Sequence, residues 1–317
     1  MENSQKKAVP VVAIKCMAYN HEAYIRDALE GFVMQKTDFP FVAVVHDDAS
    51  TDNTAAIIRE YATKYPHIIK PIYETENQYS KRDGSIDRIM REAVINTGAK
   101  YIALCEGDDY WTDPLKLQKQ VDFLESHPDY SLVFAKAKVV HYNGESRNFF
   151  AHLENREYHP IELYQKWTVP TATTLFRSEV YHSPIYMRIT QIRKPVMGDI
   201  SLFLSCGQIG KIFCMDDVVS VYRRHPTGAT VYIDTYNYRL FKNRIAISNL
   251  FGKEFKKIDK NKFQDVFLPI SKKISKLNVD DIKFIFRYIW FAPTYAIRRI
   301  FHIPLGIARR LKLLPEK

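Results

Sequence analysis

The stretch Tyr-Ile-Ala-Leu-Cys-Glu-Gly-Asp-Asp-Tyr-Trp-Thr-Asp-Pro, at residues 101–114, places three carboxylates directly after a short apolar run. The run predicts a buried strand, so Glu106, Asp108 and Asp109 lie at its carboxyl end. Like charges this close together are costly unless a positive group lies among them. A divalent cation that carries a phosphorylated ligand would stabilise such a cluster, and Gly107 would let the backbone approach that ligand closely.

The composition is that of a protein with a sizeable core. Apolar residues make up 46% of the 317 residues, enough for one large domain or a domain with an extension. The polar start of the chain lacks the apolar core of a secretory signal. The four cysteines show no CxxC spacing, which predicts reduced thiols in a cytosolic protein.

The net charge of +10 is concentrated at one end of the chain. Residues 1–251 carry 30 basic and 30 acidic side chains, whereas residues 252–317 carry 16 basic and 6 acidic ones. An enzyme acting on nucleic acid more often has basic residues around its cleft, so we expect no nucleic-acid partner.

Strand and helix patterns alternate along the first half of the chain. This order predicts an α/β fold with a mainly parallel sheet and right-handed crossovers. The second half is more mixed, and from about residue 237 it becomes helical and basic, which predicts domains at 1–235 and 236–317. The predicted strands are Val11–Ala18, Phe41–His46, Ile68–Tyr73, Tyr101–Cys105, Tyr130–His141, Lys211–Met215 and Val218–Tyr222, and the helices are His21–Gln35, one capped by Thr51 or Asp52, Ser85–Thr97, one opened by Asp113-Pro114, Ile161–Trp167 and Asp199–Cys206.

Two acidic clusters follow strands of this predicted sheet, Asp47-Asp48 and Glu106–Asp109. Ligands of parallel sheets bind beyond the carboxyl ends of the strands, so the coincidence predicts a ligand site. A carboxylate at 47 or 48 could accept the N3–H of uracil or the N–H groups of guanine. The alternatives are a helix cap for the first cluster and a solvated acidic turn for the second.

Three segments together resemble a family 2 inverting glycosyltransferase with the GT-A fold: VVAIKCMAYNHEAY at 11–24, FVAVVHDDASTDNT at 41–54 and YIALCEGDDYWTDPLKL at 101–117. The resemblance covers about residues 9–230 and implies a Rossmann-like, mainly parallel sheet flanked by helices, followed by a helical basic extension. It also implies a nucleotide-sugar donor and Mn²⁺ or Mg²⁺ at a DXD-type motif.

The resemblance also implies roles for individual residues. Asp108 aligns with the metal-ligating carboxylate, and Asp109 beside it faces either the donor sugar or the metal. Glu106 stands where the family often has Asp, which leaves its ribose or metal contact open. The other implied donor-site residues are Ala18, Tyr19 and Asn20 over the base, Asp47 and Asp48 at the base and ribose, and Lys81, Arg82 and Arg88 near the diphosphate.

An inverting transferase needs a base that removes the proton from the acceptor hydroxyl. The family places an Asp or Glu at the start of a later helix, and Asp199 in the segment Met-Gly-Asp-Ile-Ser-Leu-Phe (197–203) fits that place. The alternative is a plain helix cap with Leu202 and Phe203 packed behind it.

Two further segments resemble parts of the family's site. In residues 221–228, Arg224 could neutralise the leaving diphosphate and His225 could ligate the metal. The alternative there is a basic surface loop. Residues 170–174, Pro-Thr-Ala-Thr-Thr, could form a wall on the acceptor side, with hydroxyls that meet a sugar.

Residues 282–317 contain eight Lys or Arg and one Glu, interleaved with bulky apolar residues. Lys283, Arg287 and Pro293 interrupt any membrane-spanning run, which would need about 20 apolar residues. Aromatic and basic helices suit the surface of an anionic bilayer, which predicts a cytoplasmic protein bound peripherally to the inner face of the membrane. The alternative is helices packed on the catalytic domain.

The leading hypothesis is a non-processive transferase that adds a sugar to a glycan or lipid-linked acceptor in surface-polysaccharide biosynthesis. Processive relatives usually carry a QxxRW motif, which this sequence lacks. Two alternatives are a sugar-nucleotide pyrophosphorylase, disfavoured because residues 9–20 contain no glycine, and a non-catalytic protein that binds membranes or polyanions.

Overall fold

A computed structural model describes residues 8–147, 150–166, 168–190, 198–226, 228, 246–253 and 255–256. The chain comprises two compact units, Met1–Val231 and Tyr232–Lys317. The first unit contains the sheet and its helices. The sequence-based boundary at residue 235 and most of the basic extension lie outside the described residues and stay predictions. Within the described part of the chain, no helix is long and apolar enough to cross a membrane.

Ten strands form one mixed sheet in the first unit. Its main path runs β3-β2-β1-β4-β9-β6-β10-β5, with β7 paired to β6 and β8 paired to β10. The strands are β1 (Val12–Ala18), β2 (Phe41–Asp47), β3 (Ile69–Tyr73), β4 (Tyr101–Leu104), β5 (Tyr110–Trp111), β6 (Tyr130–His141), β7 (Ser146–Arg147), β8 (Arg156–Glu157), β9 (Leu175–Arg177) and β10 (Lys211–Arg224).

Helices connect and cover these strands, and they confirm the predicted α/β class. They are α1 (Ile25–Val33), α2 (Thr54–Lys64), α3 (Gln78–Lys81), α4 (Ser85–Ile95), α5 (Lys116–Ser126), α6 (Pro160–Gln165), α7 (Pro184–Thr190) and α8 (Gly198–Ile209). Short 3-10 turns lie at Thr171–Thr173 and Ser178–His182.

The strand directions bring distant parts of the chain to one edge of the sheet. Strands β1, β2, β3 and β4 pair in parallel. β9 is antiparallel to both β4 and β6, and β10 is parallel to β6, so β10 points the same way as β4. The carboxyl ends of β1, β2, β4 and β10 therefore meet at one edge.

Alternating side chains of the sheet fill two cores, one on each face. In β1, Val12, Ile14 and Cys16 pack on one face, and Ala13 packs on the other. Lys15 lies in the same phase as Ala13, and its Nζ is 3.7 Å from Asp87 Oδ1 of α4. The period-two pattern of β1 thus holds even through its one charged residue.

Two element boundaries differ from the sequence-based prediction. The helix expected at Asp113-Pro114 begins at Lys116, because Asp113 accepts the N–H groups of Leu115 and Lys116 in a turn before it. The two strands expected at 211–215 and 218–222 are one strand, β10, with a register shift between Cys214 and Val218. A bulge interrupts the apolar alternation of a strand without ending it.

Candidate active site

Two loops at the carboxyl edge of the sheet are joined by hydrogen bonds between side chains and backbone. Asn20 accepts the N–H of Thr51 at 2.8 Å, and its own N–H donates to Ser50 Oγ at 2.9 Å. His21 N–H donates to Thr54 Oγ1 at 2.8 Å. Ala18 and Tyr19, which are predicted to lie over the nucleobase, directly precede Asn20 in the first of these loops. Ala18 is buried and Tyr19 is exposed. Asn20 is thus engaged in holding the loops together.

Asp47 and Asp48 are both buried at the end of β2, and their surroundings differ. The carboxylate of Asp48 accepts the backbone N–H groups of Gln78 at 2.6 Å and Tyr79 at 3.0 Å. Asp47 accepts a long hydrogen bond from Ser50 N–H at 3.4 Å, and within the described residues its Oδ1 has no partner. A buried carboxylate oxygen without a partner is costly, so Asp47 is the better candidate for a ligand contact.

The turn 105–109 packs tightly against the loop that follows β1. Gly107 N–H donates to the carbonyl of Met17 at 2.9 Å. A Cβ at Gly107 would lie 2.9 Å from His21 Nδ1 and 3.0 Å from the Cβ of Ala18. The glycine is therefore required by a close approach between two parts of the protein.

Asp108 and His225 form the central pair of the site. His225 Nε2 lies 3.0 Å from Asp108 Oδ2, and His225 is only 3% exposed. Burial tends to raise the pKa of Asp108, but the hydrogen bond with His225 and the charges of His21 and His225 outweigh it and lower that pKa. Asp108 is thus held ionised, as a metal-ligating carboxylate must be.

Asp109 is turned toward β10 instead. Its Oδ1 accepts the backbone N–H of Arg223 at 2.8 Å. Burial, followed by the charge of Asp108, raises its pKa well above the ordinary value. The pKa values of the two adjacent carboxyls therefore shift in opposite directions, and Asp109 is the one that accepts a backbone hydrogen bond from β10.

Glu106 lies among charged groups from three other elements. Its pKa is raised to about 8: burial is the largest cause, Lys15 opposes the rise, and the charges of Asp108, Asp87 and Asp199 add to it. Asp199 is therefore close enough to Glu106 for their charges to interact. This charge interaction indicates that the start of α8 lies near the acidic turn, where the family resemblance places the base.

Asp199 is the second residue of α8. Its Oδ1 accepts the N–H of Ile200 at 2.8 Å, as in a helix cap, and Leu202 and Phe203 are buried behind it. Burial raises the pKa of Asp199 above its ordinary value, despite that hydrogen bond. A carboxylate with a raised pKa is a stronger base.

The predicted basic residues of the donor site are at the surface. Arg82, Arg88 and Arg224 are exposed, and Arg82 has a left-handed backbone at φ 51°. Lys81 pairs with Glu76 at 3.3 Å. Their predicted contacts with a diphosphate stay predictions.

The acceptor-side interpretation of residues 170–174 is wrong for two of the three threonine hydroxyls, whereas Thr171 is partly exposed and its role stays a prediction. Thr173 and Thr174 are fully buried, and their hydroxyls donate to the carbonyls of Pro170 at 2.7 Å and Thr171 at 2.9 Å. Thr173 Oγ1 also accepts the N–H of Ala135. These two hydroxyls stabilise the 3-10 turn and are unavailable to a sugar.

Sequence reasoning missed four residues that line the site: Lys15, His21, Tyr24 and Arg223. The rings of Tyr24 and His225 are 4.6 Å apart, and those of His21 and His225 are 6.3 Å apart. Burial lowers the pKa of His21. Lys15 was detectable as the one charge in an apolar strand. The other three lie in segments 11–24 and 221–228, which resemble the family, but the resemblance gave no role to these three side chains.

The donor set fits a divalent cation that is shared with a substrate. Asp108 and His225 converge, and His21 Nδ1 is a buried nitrogen without a partner among the described residues. That part of the chain contains no cluster of three or more His, Cys, Asp or Glu with metal-binding geometry. A site with few protein ligands suits a cation that completes its shell with water and substrate phosphates.

Comparison with known proteins identifies the family. The family model described as Glycosyl transferase family 2 matches residues 16–183. An uncharacterized protein of Mycobacterium tuberculosis is 34% identical over 218 residues, which is 68% of this chain and 60% of that protein. The chain thus spans less than two thirds of this relative's length.

Solved structures show the same fold. S. aureus TarS 1-349 in complex with UDP-GlcNAc superposes with a TM-score of 0.59 at 17% identity, covering 78% of this chain and 69% of TarS. The mannosyltransferase PcManGT from Pyrobaculum calidifontis, in complex with GDP-Man and Mn²⁺, superposes with a TM-score of 0.54 at 15% identity, covering 95% of this chain and 87% of that one. With its family model matched over more than half of its length, this chain belongs to glycosyl transferase family 2 and has the GT-A fold.

Proposed function

We propose that the chain is a metal-dependent, non-processive, inverting glycosyltransferase. It transfers a sugar from a nucleoside-diphosphate sugar of the UDP or GDP type to a hydroxyl of a glycan or lipid-linked acceptor. The observation that supports this most is the meeting of Asp47, the Asp108–His225 pair and Asp199 at one edge of the sheet, although they come from four distant parts of the chain.

Each of these groups has a part in the proposed reaction. Asp47 accepts an N–H of the nucleobase, and Asp108 and His225 would hold Mn²⁺ or Mg²⁺ near the diphosphate. When bound, the cation supplies positive charge to the leaving group. Glu106, with its pKa raised to about 8, can donate a hydrogen bond near neutral pH.

Asp199 supplies the base. It takes the proton of the acceptor hydroxyl while that oxygen attacks the anomeric carbon from the face opposite the diphosphate. The new carbon–oxygen bond forms as the bond to the diphosphate oxygen breaks, so the configuration inverts in one displacement. The nucleoside diphosphate leaves, and Asp199 carries the proton.

The variant Asp199→Asn tests this mechanism because the amide keeps the size and the Ile200 hydrogen bond but cannot take a proton. We expect transfer to be lost while UDP or GDP binding, measured by calorimetry with and without Mn²⁺, stays near that of the unchanged protein. Turnover retained in Asp199→Asn would remove Asp199 from the role of base.

We also propose that the protein works in the cytoplasm at the inner face of the membrane. Support comes from the basic, aromatic segment 282–317, which lies outside the described residues. Such a segment suits an anionic lipid surface and would bring the site to lipid-linked acceptors in polysaccharide biosynthesis. Deleting 282–317 should release the protein from anionic vesicles, and unchanged partitioning would disprove the idea.

A further inference from the structure

Arg223 connects the acidic turn with the end of β10. Its backbone N–H donates to Asp109 Oδ1 at 2.8 Å, and its Nη1 donates to the backbone carbonyl of Asp108 at 3.1 Å. Its guanidinium lies 4.2 Å from the centre of the Tyr110 ring. One residue therefore contacts the last two residues of the turn and the first residue of β5.

The same guanidinium also extends to α1. Its Nη2 donates to Asp27 Oδ2, and its Cζ is 5.5 Å from the centre of the Tyr24 ring. Tyr24 in turn packs against the ring of His225. Arg223 thus joins α1 and the acidic turn to the end of β10, which His225 directly follows.

These contacts show what the side chain of Arg223 can do. Both terminal nitrogens have protein partners, and the side chain is only 17% exposed. Its charge is therefore directed at the protein, in contrast to the exposed Arg224. His225 follows two residues later, so the backbone position of Arg223 constrains where His225 can lie relative to Asp108.

We propose that Arg223 is a positioning residue that holds Asp108 and His225 in the geometry needed to bind a divalent cation, with Asp27 as its anchor on α1. The inference rests on the proposed function, since it concerns the same metal and diphosphate site. A planar guanidinium forms several directed hydrogen bonds at once, which a lysine cannot reproduce.

The experiment compares nucleotide affinity with and without the metal. UDP and GDP are titrated by calorimetry in Mn²⁺ and in EDTA, and Mn²⁺ alone is titrated by electron paramagnetic resonance. The variants are Arg223→Gln, Arg223→Lys and Asp27→Asn. Because the Asp27 side chain is 53% exposed, its variant should fold even if one at Arg223 does not.

Glu60→Gln is the matched control. Glu60 forms a two-point ion pair with Arg26 of α1, at 2.8 and 2.9 Å, and has no part in the acidic turn. Like Asp27→Asn, it changes an exposed carboxylate to an amide and weakens a carboxylate–arginine ion pair that has one partner on α1. It should bind nucleotide and Mn²⁺ as the unchanged protein does.

We expect Mn²⁺ affinity, and the gain in nucleotide affinity that Mn²⁺ brings, to fall about tenfold or more in both Arg223 variants and less in Asp27→Asn. Affinity in EDTA, and the melting temperature of Asp27→Asn, should stay near those of Glu60→Gln. If Mn²⁺ raises the nucleotide affinity of Arg223→Lys as much as that of the unchanged protein, the charge of the side chain alone matters. If a variant loses equal nucleotide affinity in EDTA and in Mn²⁺, the substitution distorts the site in general. Either result overturns the positioning role.

The unchanged protein separates this inference from the proposed function. If it binds neither nucleotide better with Mn²⁺, the proposed metal site fails and the role of Arg223 fails with it. If Mn²⁺ raises the nucleotide affinity of the unchanged protein, and raises that of Asp27→Asn and the Arg223 variants by the same factor, only the role of Arg223 is wrong.

Discussion

Two pairs of adjacent aspartates lie at the same edge of the sheet, Asp47-Asp48 after β2 and Asp108-Asp109 after β4. In each pair the second carboxylate accepts backbone N–H groups of another segment, at Gln78 and Tyr79 in one case and at Arg223 in the other. The first carboxylate differs between the pairs. Asp108 has His225 as a partner, whereas Asp47 Oδ1 has none among the described residues.

Because of this difference, Asp108 and Asp47 suit different ligands. Asp108 is held ionised by neighbouring imidazoles, as suits a cation. Asp47 Oδ1 is a buried acceptor with no donor among the described residues, as suits an N–H group of a base. Two identical Asp-Asp patterns thus have different surroundings, and variants of the four aspartates test whether their roles differ as well.

The largest contrast is expected between Asp108→Asn and Asp109→Asn. Loss of the Asp108 charge should lower kcat/KM by a factor on the order of 10²–10³, as for other groups that stabilise developing charge. Asp109→Asn should cost less than about tenfold, because the Asp109 carboxyl has a strongly raised pKa and an amide oxygen can still accept the Arg223 N–H. Transfer assays on both variants measure this, and equal losses would contradict this difference in their roles.

Removing the carboxylate of Asp48, which accepts two backbone N–H groups, should lower the stability of the fold. In Asp48→Ala the N–H groups of Gln78 and Tyr79 lose a charged acceptor, which should lower the free energy of unfolding by about 2 kcal/mol. Urea denaturation measures the change. An Asp48→Ala protein as stable as the original would show that this loop does not depend on Asp48.

Asp47→Asn should act on the ligand and leave the fold unchanged. Nucleotide affinity should fall about tenfold, because the base N–H then meets an amide in place of a carboxylate. Stability should change little, since Oδ1 has no partner to lose within the described chain. Calorimetry with UDP and GDP measures the affinity, and a loss of stability without a loss of affinity would reverse the assignments of Asp47 and Asp48.

The smallest expected effect concerns Glu106 and pH. Its pKa is raised to about 8 in the folded chain, so the folded state binds this proton more tightly than the unfolded state. The stability that this proton contributes is present below the unfolded pKa and is lost as pH rises toward about 8. Compared with the unchanged protein, Glu106→Gln should therefore gain stability toward the upper end of this pH window. The expected gain is on the order of 1 kcal/mol, since the partial exposure of Glu106 lets solvent screen its charge.

Denaturation in EDTA, across pH and without nucleotide, measures this difference. Asp87→Asn is a suitable comparison, because it removes one of the charges that raise the pKa of Glu106 and leaves the carboxyl itself in place. A constant difference between Glu106→Gln and the unchanged protein at every pH would contradict the raised pKa.

Local patterns predicted most of the parallel half of the sheet. β1 to β4 were found close to their predicted bounds because each is a short apolar run flanked by polar turns. The start of α5 and the continuity of β10 were missed, since a turn at Asp113 and a bulge after Cys214 depend on partners elsewhere in the chain. The hydroxyls of Thr173 and Thr174 were misread for the same reason.

The α/β class, the family and the acidic clusters at the strand ends follow from local periodicity and motif spacing, so the amino-acid sequence alone predicts them. Which carboxylate of each pair accepts backbone N–H groups from another segment is visible only in the folded chain. The tertiary structure also showed that Arg223 contacts the protein while Arg224 is exposed. The physical reason is that burial, hydrogen-bond partners and charge depend on residues that are distant in the chain and meet only when the sheet forms.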